Sequence, residues 1–225
     1  AANDGLQYAN LAVRGRKTRQ VLDEQLPPAL AMRPDIATVF AGTNDVVRRH
    51  VDIDRVVADI ETMQHDLRSM GATVLTITLP DLSAVMPLAK RIAPRVDAMN
   101  EALRVVSTRT GTILVDLARF PVASDPRLWS EDRLHANALG HARIAASLAH
   151  AIALPGHGAD WQLQLPEAPV RTISQNLARE VVWARRYLLP WLWRRARGRS
   201  SGDGRTAKRP TLSFLGPTGG DTAER

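Results

Sequence analysis

Short runs of aliphatic and β-branched residues alternate along this chain with segments of helical periodicity, and that alternation dictates a parallel sheet covered by helices on both faces. Leu6 to Val13 reads as the first strand. A helix follows, with Thr18 offered as N-cap ahead of Val21, Leu22, Gln25 and Leu26, and Pro27 and Pro28 interrupting the run. Asp35 to Ala41 is a short apolar strand of the buried type, halted by Gly42-Thr43-Asn44-Asp45. From Asp54 to Met70 one helical stripe carries Val56, Val57, Ile60, Met63, Leu67 and Met70. Thr73 to Leu79 and Thr112 to Leu117 are further strands, separated by an irregular stretch from Pro80 to Lys90 and a helix opened by Pro94. Ala138 to Ala153 supplies the last helix of the body. The expected fold class is therefore α/β, a three-layer α/β/α sandwich.

The formal net charge of +7 suggests an anionic partner until it is located. Residues 185–225 hold 10 Lys/Arg against 3 Asp/Glu, whereas residues 1–184 are balanced at 20 and 20. The body is thus no nucleic-acid platform, and the excess belongs to the C-terminal region. Domain organisation follows the same break: a body over 1–155, a linker and amphipathic helix over 156–193, and a tail over 194–225. The tail is rich in Gly, Ser, Pro, Arg and Thr, a composition expected to remain disordered. With no cysteine, thiol nucleophiles, disulfides and cysteine metal sites are excluded. No apolar run approaches the roughly 20 residues a membrane span needs, and residues 1–5 show no charged-then-apolar leader, so a cytoplasmic location is expected.

In open α/β sheets, ligands bind beyond the carboxyl ends of the strands. Three polar clusters fall at such places: Val13-Arg14-Gly15-Arg16, Gly42-Thr43-Asn44-Asp45, and Ser130-Glu131-Asp132-Arg133-Leu134-His135. Asp132 and His135 are close enough on one turn for the carboxylate to accept from imidazole Nδ1–H, leaving Nε2 as a base. Taken singly, each cluster has a plainer reading. An Asp-x-x-His pair also serves as a surface helix cap, and Gly-Thr-Asn-Asp is a good turn. Asp45 either supports the Asn44 loop or caps the following turn.

Taken together, the clusters resemble three sequence blocks of the SGNH or GDSL-type hydrolases, the lipase/acylhydrolase and esterase superfamily. Tyr8-Ala9-Asn10-Leu11-Ala12-Val13-Arg14-Gly15 resembles the second block, Gly42-Thr43-Asn44-Asp45 the third and Asp132-Arg133-Leu134-His135 the fifth, in family order over about residues 6 to 153. The resemblance implies a flavodoxin-like parallel sheet and a serine ester hydrolase acting on acyl or lipid esters through a Ser-His-Asp triad and an acyl-enzyme, with no cofactor. It further implies that the Gly15 backbone N–H and the Asn44 amide are oxyanion-hole donors, His135 the general base and Asp132 its orienting partner.

One block has no counterpart. The family's nucleophile lies in a Gly-Asp-Ser block after its first strand, and no Gly-Asp-Ser occurs ahead of Gly15. Ser83, Ser124 and Ser130 lack the strand-to-helix setting that activates a hydroxyl, and Gly202-Asp203-Gly204 lies in the tail. The expectation is a chain truncated at its N-terminus, missing its first strand and nucleophile. A second reading, from another class, is a non-catalytic SGNH-like binding protein whose basic aromatic tail meets a membrane or an acidic partner. Val181 to Arg199 interleaves Trp183, Tyr187, Trp191 and Trp193 with Arg185, Arg186, Arg194, Arg195 and Arg197, which suits either weak contact with an anionic membrane or docking on the body by its aromatics. Nucleic acid is not an expected partner. His50, His65, His141, His150 and His157 come with no carboxylate cluster at ligand spacing, so no metal site is expected. The loops Pro80 to Lys90 and Phe120 to Trp129 are expected to set the choice of ester.

Overall fold

The computed structural model describes residues 5–48, 50–83, 85–167, 172–198 and 202–215. Its centre is a parallel sheet of β2 (Ile36–Thr38), β3 (Thr73–Ile77) and β4 (Ile113–Val115), in that order. The register pairs Ile36 with Thr73 and Leu75 with Ile113. Successive β3 residues point to opposite faces. Val74 joins one core with α3 (Ile53–Ser69) and α4 (Ala93–Thr110), where Ile60, Met63, Met99 and Leu103 are fully buried. Ile77 faces a second core with Val115, Leu117, Trp161 and residues Ile144 and Leu148 of α5 (Ala138–Ala151). Helices on both sheet faces make the α/β/α layering that the alternation predicts.

α1 (Thr18–Ala31) runs through Pro27 and Pro28 without breaking. Sequence logic ends the helix there, because proline lacks the N–H and crowds the carbonyl four residues back. Packing outweighs that local cost: Val21, Leu22, Leu26, Ala29 and Leu30 all lie against the first core, and Met32 N–H still closes the helix on Pro28 O at 3.2 Å. Thr18 is not the N-cap either. Lys17 takes that position, and Thr18 is the first helical residue, fully buried, with its polar groups directed at Asp45.

β1 (Gln7–Asn10) does not enter the parallel sheet. It pairs antiparallel with β5 (Arg209–Phe214), Gln7 opposite Phe214, with an irregularity between Tyr8 and Asn10. Part of the tail expected from its composition to be disordered thus forms a strand, while residues 216–225 fall outside the described residues. The outer edge of β2 has no strand partner among the described residues, and beside it Ile36 and Phe40 stand 55% and 46% exposed. After α5 the chain passes through Trp161 to α6 (Ile173–Trp183), a π-helical turn over 184–188, and α7 (Leu189–Ala196). None of these helices, nor any other among the described residues, is long and apolar enough to cross a membrane.

Gly42 caps α2 (Thr43–Val46) at φ +103°, where an added Cβ would lie 1.8 Å from the buried Met99 methyl. Both the backbone and the core exclude a side chain there. Gly42→Ala should cost about 1–3 kcal/mol, from left-handed strain plus overpacking, read as a shifted urea midpoint at unchanged slope.

Candidate active site

Two corners of the structure carry the polar clusters. At the first, the chain leaving β1 turns through Val13 to Arg16, with Arg16 N–H reaching Val13 O at 3.4 Å and Gly15 at φ +81°. A positive φ at the third residue of a turn is the reason for glycine there. The next residues open α1, whose Thr18 donates from both backbone N–H, 2.9 Å, and Oγ1, 2.8 Å, to Oδ2 of buried Asp45. Beside it, Asn44 Nδ2 donates to Arg16 O at 2.9 Å. Asp45 therefore supports the Asn44 loop, the first of the two roles open to it. One amide hydrogen of Asn44 is engaged, and a primary amide has a second.

At the other corner, Asp132 Oδ2 lies 2.7 Å from His135 Nδ1, and Oδ1 accepts the backbone N–H groups of Leu134 and His135 at 3.0 and 3.1 Å. An ionised carboxylate only accepts, so Nδ1 carries the proton and Nε2 is the basic nitrogen. Burial tends to raise the Asp132 carboxyl pKa, but the imidazole and the two backbone donors override it and hold it well below the usual carboxylate range. The turn is framed by Ser130 N–H to His135 O at 2.7 Å and by a bridge between Trp129 and Ala136. Asn137 then caps α5 through Gly140 N–H and ties the preceding loop through Arg127 O at 2.7 Å. Gly140 permits close approach here, since a Cβ would fall 2.2 Å from Leu128 O.

Arg14 connects the corners, its Nη2 3.4 Å from Asp132 Oδ2. Between them opens a cavity of about 380 Å³, within the usual range of small-molecule sites. Thr43 and His135 both line it, and Leu79, Met86, Val122 and Leu128 give it an apolar wall. Leu79 is fixed by Asn100 of α4, which accepts its N–H and donates to its C=O, both at 2.8 Å, as a neighbouring strand would. The loops expected to set substrate choice supply Pro80, Met86 and Val122. Of the serines weighed as nucleophiles, Ser83 and Ser130 spend their hydroxyls on Asp81 and on Ala136 O.

Residues 1–143 match the model of the GDSL-like lipase/acylhydrolase family. The chain belongs to that family. No curated protein matches it in sequence. Among solved structures it resembles a putative acylhydrolase from Bacteroides fragilis (19% identity, TM-score 0.54, covering 62% of this chain and 71% of that one). It also resembles the lipase/acylhydrolase from Enterococcus faecalis (24% identity, TM-score 0.52, covering 61% and 71%). A third is an acetylxylan esterase from Geobacillus stearothermophilus (18% identity, TM-score 0.52, covering 68% and 72%). These likenesses establish the fold of a GDSL-like protein.

Some residues at the site give no motif signal. Thr18, Arg14 and Asn100 act through contacts 21 to 118 positions away in sequence. Of these three, only Arg14 lies in a cluster that the sequence singles out, and nothing in that cluster points to Asp132, 118 positions away. The depressed Asp132 pKa has a consequence for stability. A carboxyl whose folded pKa lies below its unfolded value, about 3.9, contributes fully above that value and less as pH falls through and beneath it. The wild-type chain should lose more stability between pH 7 and pH 3 than Asp132→Asn, measured as the difference in urea midpoints.

Proposed function

We propose that this chain carries the base, its orienting carboxylate and the oxyanion donors of a serine ester hydrolase, the nucleophile being the serine of a Gly-Asp-Ser block outside these 225 residues. The observation that supports the reading most is the 2.7 Å contact between Asp132 and His135 beside an apolar cavity that Thr43 also lines. In this reading His135 Nε2 takes the serine proton as the hydroxyl attacks the ester carbonyl, and Asp132 stabilises the imidazolium that forms. Gly15 N–H and the Asn44 amide receive the oxyanion, each worth on the order of 3 kcal/mol in the transition state. His135 then gives its proton to the departing alkoxide, and the acyl-enzyme is hydrolysed by water activated at the same nitrogen. The apolar cavity wall favours esters whose acyl part is a neutral hydrocarbon over charged ones.

The test is turnover of p-nitrophenyl esters by the full-length gene product, together with any residues it carries ahead of Ala1. His135→Ala should lower kcat by roughly 10³-fold or more, and Asn44→Ala by about 10²–10³-fold with little change in KM. Lengthening the acyl chain should raise kcat/KM by about fourfold per buried methylene until the cavity is filled. Full activity in His135→Ala overturns the assignment.

A second reading, of a binding protein, draws on one observation. The C-terminal helices leave Leu177, Val181, Val182, Leu189, Leu192 and Trp193 exposed, alongside exposed Arg185, Arg186, Arg194 and Arg197. Apolar and aromatic side chains among arginines suit an anionic lipid surface. The chain should co-sediment with vesicles containing anionic lipid, not with zwitterionic ones, and be released by about 0.5 M salt. Absence of vesicle binding at low salt removes this reading. Turnover without vesicle binding leaves the hydrolase reading alone.

A further inference from the structure

We propose that the C-terminal helix α6 positions the Asp132–His135 pair by gripping Arg133, the first of the two residues between them. The inference rests on reading that pair as the working one. Arg133 adopts φ +61°, a left-handed conformation that residues with a long side chain seldom hold. Its guanidinium is forked onto Glu180, with Nη1 and Nη2 donating at 2.8 and 2.6 Å. The same guanidinium stacks on Trp183, its Cζ 4.5 Å from the ring centroid. Trp183 is buried, and its Nε1–H donates to the Asp132 carbonyl at 3.4 Å. One turn further on, Tyr187 donates to Glu131 at 2.6 Å. Three consecutive residues, 131 to 133, are therefore held from one helical segment some 50 positions away in sequence.

The effect of the grip is set by the geometry of the turn. Leu134 and His135 present their N–H groups to Asp132 Oδ1 only while the backbone between them keeps the left-handed step at Arg133. Released from Glu180 and Trp183, an arginine returns toward negative φ, and both donors swing away from the carboxylate that orients the imidazole. The local hydrogen bonds oppose this, and the grip adds to them from outside the turn. The side chain of Arg133 is only 12% exposed and that of Glu180 48%, which makes the arginine of this ion pair better shielded than that of the Arg14–Asp132 contact, at 45% and 21%. Arg133, Glu180 and Trp183 are on this account positioning residues: none is required to touch substrate.

Glycine separates positioning from mere packing, because it occupies φ +61° without being held. Hydrogen exchange at the Leu134 and His135 amides, with the low-field Nδ1 proton of His135, is followed by NMR on the full 225-residue chain. Glu180→Gln/Trp183→Ala should raise exchange at both amides by about tenfold or more and broaden the Nδ1 proton, leaving the core amides of Val74, Met99 and Leu103 unchanged. Adding Arg133→Gly to that pair should restore protection. Unchanged protection in the double variant, or no restoration by glycine, overturns the proposal. Should the double variant fail to fold, Arg133→Ala and Arg133→Gly decide, since both lose the grip and only alanine keeps the left-handed strain: faster exchange at both amides in alanine than in glycine is expected, and equal exchange in the two overturns the proposal. None of these readouts needs turnover, so the hydrolase reading can fail on His135→Ala while the positioning of the pair stands.

Discussion

The bond pair between Thr18 and Asp45 fixes the geometry on which the first corner depends. A buried carboxylate is costly unless its acceptors are used. Here one oxygen takes both the first backbone donor of α1 and a hydroxyl from the same residue. That locks the start of α1 to the turn after β2, two segments separated by a whole strand–helix unit. Everything nearby inherits its position: Arg16 O is set to accept from Asn44, and the Gly15 turn is anchored through the helix start three residues on. Gly42 completes the arrangement from below, since its left-handed backbone lets the turn drop onto Met99 without a side chain intervening.

The second corner is built by different means. Its bonds are mostly local, between residues 127 and 140, and its stability derives from one carboxylate serving an imidazole, two backbone amides and an arginine. Such a turn is readable from sequence, because Asp132 and His135 need only the spacing of three that the chain displays. The strands of the parallel sheet and the amphipathic stripe of α3 are legible for the same reason: their signals are periodic and short-ranged. The continuation of α1 through Pro27 is not legible, because local propensity counts the missing donor and not the apolar face packed against the core. Thr18 has the look of a cap because Ser and Thr usually are, and only Asp45, 27 positions later, assigns it otherwise. The pairing of β1 with β5 is beyond reach for a like reason, since exposed strands about 200 positions apart leave no pattern linking them.

Magnitude decides what keeps the two corners at a working distance. The direct link, Arg14 to Asp132, is 3.4 Å long and nearly half exposed on the arginine side, and exposed pairs of that kind contribute between nothing and about 1 kcal/mol. The alternative is the sheet. β3 is buried through Val74, Leu75 and Thr76, it pairs on both sides, and Asn100 extends its bonding to Leu79 where the strand proper has ended. Thr76 donates to Val39 O, tying β3 to the chain entering the first corner, and Thr78 bonds Asp116 and Ala118 beyond β4, on the way to the second. Several buried bonds of roughly 1 kcal/mol each, backed by apolar packing on both faces, outweigh one screened pair. The sheet therefore sets the span between corners. Arg14 is left as a screened positive neighbour of Asp132, whose carboxyl is held low, against its own burial, by the His135 imidazole and the Leu134 and His135 amides.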